Sequence, residues 1–179
     1  MTALPFALSL VEPTMLDLAV RPRSARVADA SEIHRLITLW SGQGLTIPRP
    51  AGEILGSIGD FIVARRVPDG RVVACGALEM VTGSVAEIRS ISVDPAAPRI
   101  GAGRVVVRSL LAEASERGVD RVVLLTKTPD FFARCGFAAV PADDLPPAYA
   151  GPHLHARDRT TVGRIAMSIE LGRDTVLPA

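Results

Sequence analysis

Apolar positions along this chain change their spacing repeatedly, and each change predicts a new element. Leu16 to Val20 is mostly apolar and predicts a first strand that runs on toward Ala25. Asp29 then stands at a helix N-cap position, Ile33, Leu36, Ile37 and Trp40 follow at helical spacing, and Gly42 and Gly44 close that helix. Pro48 and Pro50 bracket Arg49 and require a loop there, and three glycines weaken the short helix predicted over Ala51 to Gly59.

From Asp60 the period shortens to that of strands. Phe61 to Arg66, Arg71 to Met80 and Val85 to Val93 are rich in Val, Ile and Ala and are separated by turns at Pro68-Asp69-Gly70 and Thr82-Gly83-Ser84, which predicts a β-meander. A helix follows over Arg104 to Arg117, with Val105, Leu110, Leu111 and Ala114 as its apolar stripe and Gly118 as its C′ residue. Arg121 to Leu125 is almost continuously apolar, as a strand buried on both faces requires. A short helix near Pro129 to Cys135, a proline-rich loop over Pro141 to Arg159 and an alternating strand from Arg164 to Leu171 complete the chain. The order predicts an α+β fold with a mixed sheet, in one domain over 15–173, between a disordered tail at 1–14 and a short tail at 174–179.

Composition narrows the class. An apolar share of 48% and a charged share of 22% over 179 residues are those of a globular domain large enough to bury a core. Net charge is +1 with no basic stripe, which argues against a nucleic-acid partner. Only Lys127 among the twenty basic residues is a lysine, a bias that genome composition accounts for. Cys75 and Cys135 form no CxxC pattern, so no metal site is expected, and reduced thiols fit a cytoplasmic protein. No run is long enough for a membrane helix, and Leu4 to Val11 lacks the preceding basic residue of a signal peptide.

The strongest chemical signal is the turn Arg99-Ile100-Gly101-Ala102-Gly103-Arg104 between a strand and a helix. Such a turn presents unpaired N–H groups and the positive end of a helix dipole, and its glycines let a phosphate approach the backbone. Gly103 is not followed by Lys-Ser/Thr, so this is no P-loop. A third glycine and a parallel βαβ unit are missing, so it is no dinucleotide fold either. A nucleotide diphosphate in another fold remains, and coenzyme A qualifies.

With these pieces the chain resembles the GNAT superfamily of N-acetyltransferases over residues 18–171. The matching segments are Arg23-Ser-Ala25 with Asp29 and Ile33, Val93-Asp-Pro95 leading to Gly101-Ala-Gly103, and Phe131-Phe132-Ala-Arg-Cys-Gly136-Phe137. The resemblance implies a mostly antiparallel central sheet flanked by helices and acetyl-CoA as co-substrate. It also implies cofactor contacts from Ile91, Ser92, Val93, Arg99, Ile100, Gly101, Ala102, Gly103, Arg104, Phe131 and Phe132. Pro98 departs from the family's usual Gln or Arg three residues before the first glycine.

Gly44-Leu-Thr-Ile-Pro-Arg49, Ala86-Glu-Ile-Arg89, Leu124-Leu-Thr126 and Asp143-Asp-Leu-Pro146 are similar to the amino-acid branch, the N-acetylglutamate synthases. That branch implies glutamate as acceptor and a role in arginine biosynthesis. Arg forks suit carboxylates, so Arg49, Arg89 and Arg159 (with Arg157 and Arg164 as alternatives to the last), and the hydroxyl of Thr126, are the substrate candidates. Glu87 is the candidate base, acting through water, with the Ile91 N–H serving the oxyanion if its strand bulges. The loop around His153, His155, Arg157 and Thr161 departs from the branch, and Phe132 stands where many relatives carry a Tyr acid. Another small amine as acceptor, a CoA-binding module without turnover, and a homodimer are left open.

Overall fold

The computed structural model of the chain describes residues 20–67, 69–97, 100–147 and 163–172. Among these residues seven strands form one sheet in the order β1-β2-β3-β4-β5-β7-β6. They are β1 (Val20–Ser24), β2 (Phe61–Arg66), β3 (Val72–Met80), β4 (Val85–Val93), β5 (Arg121–Thr126), β6 (Ala138–Ala139) and β7 (Ile165–Glu170). The pair β4–β5 is parallel and the others are antiparallel. The expected α+β mixed sheet is therefore the observed one. Four α-helices accompany it among the described residues: α1 (Ala30–Ser41), α2 (Ala51–Gly56), α3 (Ala102–Glu116) and α4 (Pro129–Ala133).

Strand alternation distributes the core between the two faces. Phe61 and Val63 of β2 join Ile33, Leu36 and Ile37 of α1 and Ile54 of α2. Ile62 and Ala64, the intervening residues, join Val106, Leu110 and Leu111 of α3 on the other face. Both faces of the central strands are thus dry, which explains their near-continuous apolar runs. Truncating one fully buried leucine, such as Leu36 or Leu110, to alanine is worth about 2–5 kcal/mol.

Element ends depart from the sequence reading for local reasons. The helix expected from Arg104 begins at Ala102, because Gly101 takes the left-handed conformation (φ 70°) and serves as N-cap. Strand β5 extends to Thr126, where it pairs with Ile165. Residues 16–19 of the expected first strand and both tails lie outside the described residues.

Asp29 holds the N-cap position of α1, but its carboxylate does not cap that helix. It accepts hydrogen bonds from Arg23 Nη1 and Nη2 at 2.7 and 2.8 Å and from the Arg26 N–H at 2.8 Å, tying β1 to the helical layer. Burial alone would raise its pKa, but the Arg23 and Arg26 hydrogen bonds outweigh burial and hold it below the usual carboxylate range. A depressed folded-state pKa stabilises above the unfolded value of ~3.9 and loses that contribution as pH falls through the folded pKa. Asp29→Asn is expected to cost about 2 kcal/mol near neutral pH, by urea unfolding. The gap to the wild type should close in acid, and a gap that ignores pH would contradict this account.

Candidate active site

Strands β4 and β5 are bonded at Val85–Arg121, Ala86–Val122 and Glu87–Val123 and then part. Beyond that point β4 continues along β3 to Val93, while β5 continues along β7 to Thr126. The parting coincides with a bulge. Cys75 of β3 pairs with Ser92 but Ala77 pairs with Arg89, so β4 carries an extra residue, and Ser90 takes φ 58°. A serine in the left-handed region costs about 1–3 kcal/mol and persists only where its surroundings impose it.

Gly76, opposite the bulge, is what makes room. A β-carbon there would collide with Ile91 Cδ1 and lie 2.9 Å from Val106 Cγ1, so the glycine admits the Ile91 side chain to the core beneath α3. The sequence reading missed Gly76, although a glycine inside a strand is the signal for a bulge.

The cleft between the parted strands is walled by Ile88 to Ile91, by Leu124 to Thr126, and by Phe131 and Phe132 of α4. Leu45 and Thr46, from the loop after α1, and Arg164 close its far side. That loop is held from two directions. The Leu45 and Thr46 N–H groups donate to Trp40 O at 3.0 and 3.5 Å, and Arg164 donates to Leu45 O at 3.2 Å and Gly44 O at 3.5 Å. Trp40 Nε1 donates in turn to Val93 O at 2.7 Å, fastening α1 to the end of β4.

A second concavity lies at the start of α3, lined by Val93, Ile100 to Arg104, Phe131 and Arg134. The N-cap of α3, Gly101, has no side chain with which to cap the helix. A β-carbon on Gly103 would stand 3.0 Å from Val93 Cγ2 and 3.2 Å from Phe131 Cζ, so glycine lets the helix start close to β4 and α4. Phe131 lines both concavities and joins them into one path. Phe132 is buried and packs edge-on against Phe131 and Phe137, with centroids 4.9 and 5.9 Å apart.

The charged candidates separate into distinct environments. Glu87 is buried and lines the cleft together with Arg89. Arg89 pairs with Glu79 and lies 4.0 Å from Glu53. Arg49 is buried, with Nε and Nη2 each 2.7 Å from Glu53 Oε1 and its guanidinium 5.4 Å over the Phe61 ring. A substrate carboxylate reaching Arg49 has to displace Glu53. Thr126 Oγ1 accepts the Thr128 N–H at 2.9 Å and closes the turn after β5. Ser92 is buried, and its hydroxyl has no partner among the described residues. Arg99, Arg159, Pro98, His153, His155 and Arg157 lie outside the described residues.

Cysteine chemistry is disfavoured. Burial pushes the Cys75 thiol up to about 12, and burial also raises that of Cys135. Neither supplies a thiolate near neutral pH for a covalent acyl-enzyme. Among the described residues no cluster of His, Cys, Asp or Glu has the makings of a metal site, and no helix is long and apolar enough to cross a membrane.

Comparison with known proteins agrees with this geometry. The acetyltransferase (GNAT) family matches residues 39–137. The amino-acid acetyltransferase of Mycobacterium tuberculosis is 35% identical over 120 residues, 66% of this chain and 68% of that protein. The crystal structure of Rv2747 from M. tuberculosis, in complex with CoA and NLQ, superposes with a TM-score of 0.78 at 28% identity, over 85% of this chain and 99% of that one. N-acetylglutamate synthase from Neisseria gonorrhoeae, complexed with coenzyme A and N-acetyl-glutamate, gives 0.73 at 25% identity, over 86% of this chain and 35% of that longer one. The chain belongs to the acetyltransferase (GNAT) family and is an acetyl-CoA-dependent N-acetyltransferase. Within that family its relatives put it with the amino-acid acetyltransferases.

The bulge yields a direct test. Gly76→Ala drives a methyl group into Ile91 and is expected to cost about 1–3 kcal/mol in urea unfolding. An unchanged unfolding midpoint would show that this contact does not hold the bulge.

Proposed function

We propose that the acceptor is the α-amino group of L-glutamate, which makes the chain a short N-acetylglutamate synthase serving arginine biosynthesis. The observation that carries the reading is the juxtaposition of buried Glu87 and Arg89 with the β4 bulge, at the point where β4 and β5 part. The name of the M. tuberculosis relative and the product bound by the N. gonorrhoeae enzyme support it.

The path through the molecule suits acetyl-CoA. Its pyrophosphate sits at the start of α3, among Ile100, Gly101, Ala102, Gly103 and Arg104, and Arg99, next before Ile100 in the sequence, is proposed as a further contact. Its pantetheine arm follows Ile91, Ser92 and Val93 past Phe131 and Phe132. Bound there, the co-substrate supplies a thioester carbonyl carrying a sulfur leaving group.

The residues then divide the work. Glu87, through a water, takes the proton from the acceptor ammonium. The Ile91 N–H donates to the oxygen that gains charge as the C–N bond forms and the C–S bond breaks. CoA leaves as thiolate, which a thiol pKa of ~8.5 allows without a tyrosine acid in the place of Phe132, and it takes up the proton that the attacking nitrogen sheds as the amide forms. Arg89, with Arg159 and the turn at Thr126, holds the α-carboxylate. Arg49 is a positioning residue that fixes Glu53 beside Arg89.

Thiol release from acetyl-CoA across a panel of amino acids and amines tests this reading. Release with glutamate supports it, whereas release only with other amines, or CoA binding with no release, overturns it. In the same assay Glu87→Gln should lower kcat by about 10²-fold or more. Arg89→Ala should raise the glutamate KM by about tenfold with a smaller effect on kcat. An unchanged KM would remove Arg89 from the carboxylate site.

A further inference from the structure

The cations at the acceptor end of the cleft are almost all occupied internally. Arg49 is paired with Glu53, Arg89 with Glu79 and Glu53, and Arg164 donates to the carbonyls of Gly44 and Leu45. Lys127 is different. It is the residue immediately after β5, between Thr126 and Thr128, which both line the cleft. Its side chain is exposed and crosses to the loop after α1, with Nζ 3.6 Å from the place a β-carbon on Gly44 would occupy. Gly44 itself takes φ +69°, so the space over it stays open without strain.

Lys127 makes no hydrogen bond or ion pair within the described residues, and Asp130, close by in sequence, does not pair with it. Among the described residues the fixed charges here are Arg49, Arg89, Arg164 and Lys127 against Glu53, Glu79 and Glu87, four positive against three negative. A dicarboxylic amino acid carries one net negative charge, and its amide analogue carries none. The unmatched cation therefore complements the former. An ammonium on a flexible stem also suits a carboxylate whose distance from the α-carbon is set by the substrate.

We infer that Lys127 is the specificity cation of the acceptor site. Its ammonium, at the rim made by Gly44 and Thr128, receives the side-chain carboxylate of the acceptor and sets the preference for glutamate over glutamine. This rests on the amino-acid reading above. The charge lies at an exposed rim, so its effect is a modest one, about fivefold in relative kcat/KM.

Steady-state thiol release with glutamate and with glutamine, for the wild type, Lys127→Met and Lys127→Arg, tests the inference. The glutamate-to-glutamine ratio of kcat/KM should fall about fivefold in Lys127→Met and stay within about twofold of the wild type in Lys127→Arg. High salt should compress the wild-type ratio toward that of Lys127→Met. A Lys127→Met ratio equal to that of the wild type overturns the inference and leaves the acceptor reading standing. Wild-type turnover with neither amino acid overturns both.

Discussion

Everything at this site depends on how β4 escapes its pairing with β5. A parallel pair left to itself would continue zipping, because each further residue satisfies backbone groups that are otherwise costly to bury. The extra residue at Ser90–Ile91 breaks the register, and the Ile91 side chain is drawn into the space that Gly76 leaves beneath α3. Hydrophobic burial on one face of the sheet thereby offsets a strained φ and lost pairing at the edge of the cleft. The same feature brings a bulged backbone alongside Glu87 and Arg89, so the element that opens the cleft also places its polar groups.

Holding the cleft open requires that its walls be anchored elsewhere, and the anchors are polar. Trp40 links the loop after α1 and the end of β4 through its carbonyl and its indole N–H. Arg164 reaches from the start of β7 to the same loop. Arg49, buried in the same connection, is held by Glu53 and Phe61. Buried arginines of this kind are satisfied before any substrate arrives, so presence in the neighbourhood does not by itself make a residue a ligand. The distinction matters for Arg49 and Arg89, both expected to contact substrate and both already paired with carboxylates of the chain.

Much of the fold was readable from the order of residues because the signals are local. The meander from Phe61 to Val93 and its turns, the stripe of α3 and Gly118 follow from strand alternation, helical spacing and turn chemistry, and they lie where those rules put them. The glycine turn that opens α3 was readable for the same reason, since a left-handed glycine ahead of a helical stripe is a local feature. What stayed hidden depends on contacts between distant residues. The Asp29 carboxylate serves Arg23 rather than its own helix, Gly76 answers to Ile91 and Val106, and Lys127 lies over Gly44 from another loop. None of these pairings leaves a periodic trace in the chain.

A crystal structure of the protein with CoA and N-acetylglutamate tests the central claim most directly. The account predicts the CoA thiol between β4 and β5 beside Ile91, its pyrophosphate at the start of α3, and the product's nitrogen facing Glu87. A thiol directed away from the parted strands, or a product bound outside the cleft closed by Leu45, Thr46 and Arg164, would contradict it.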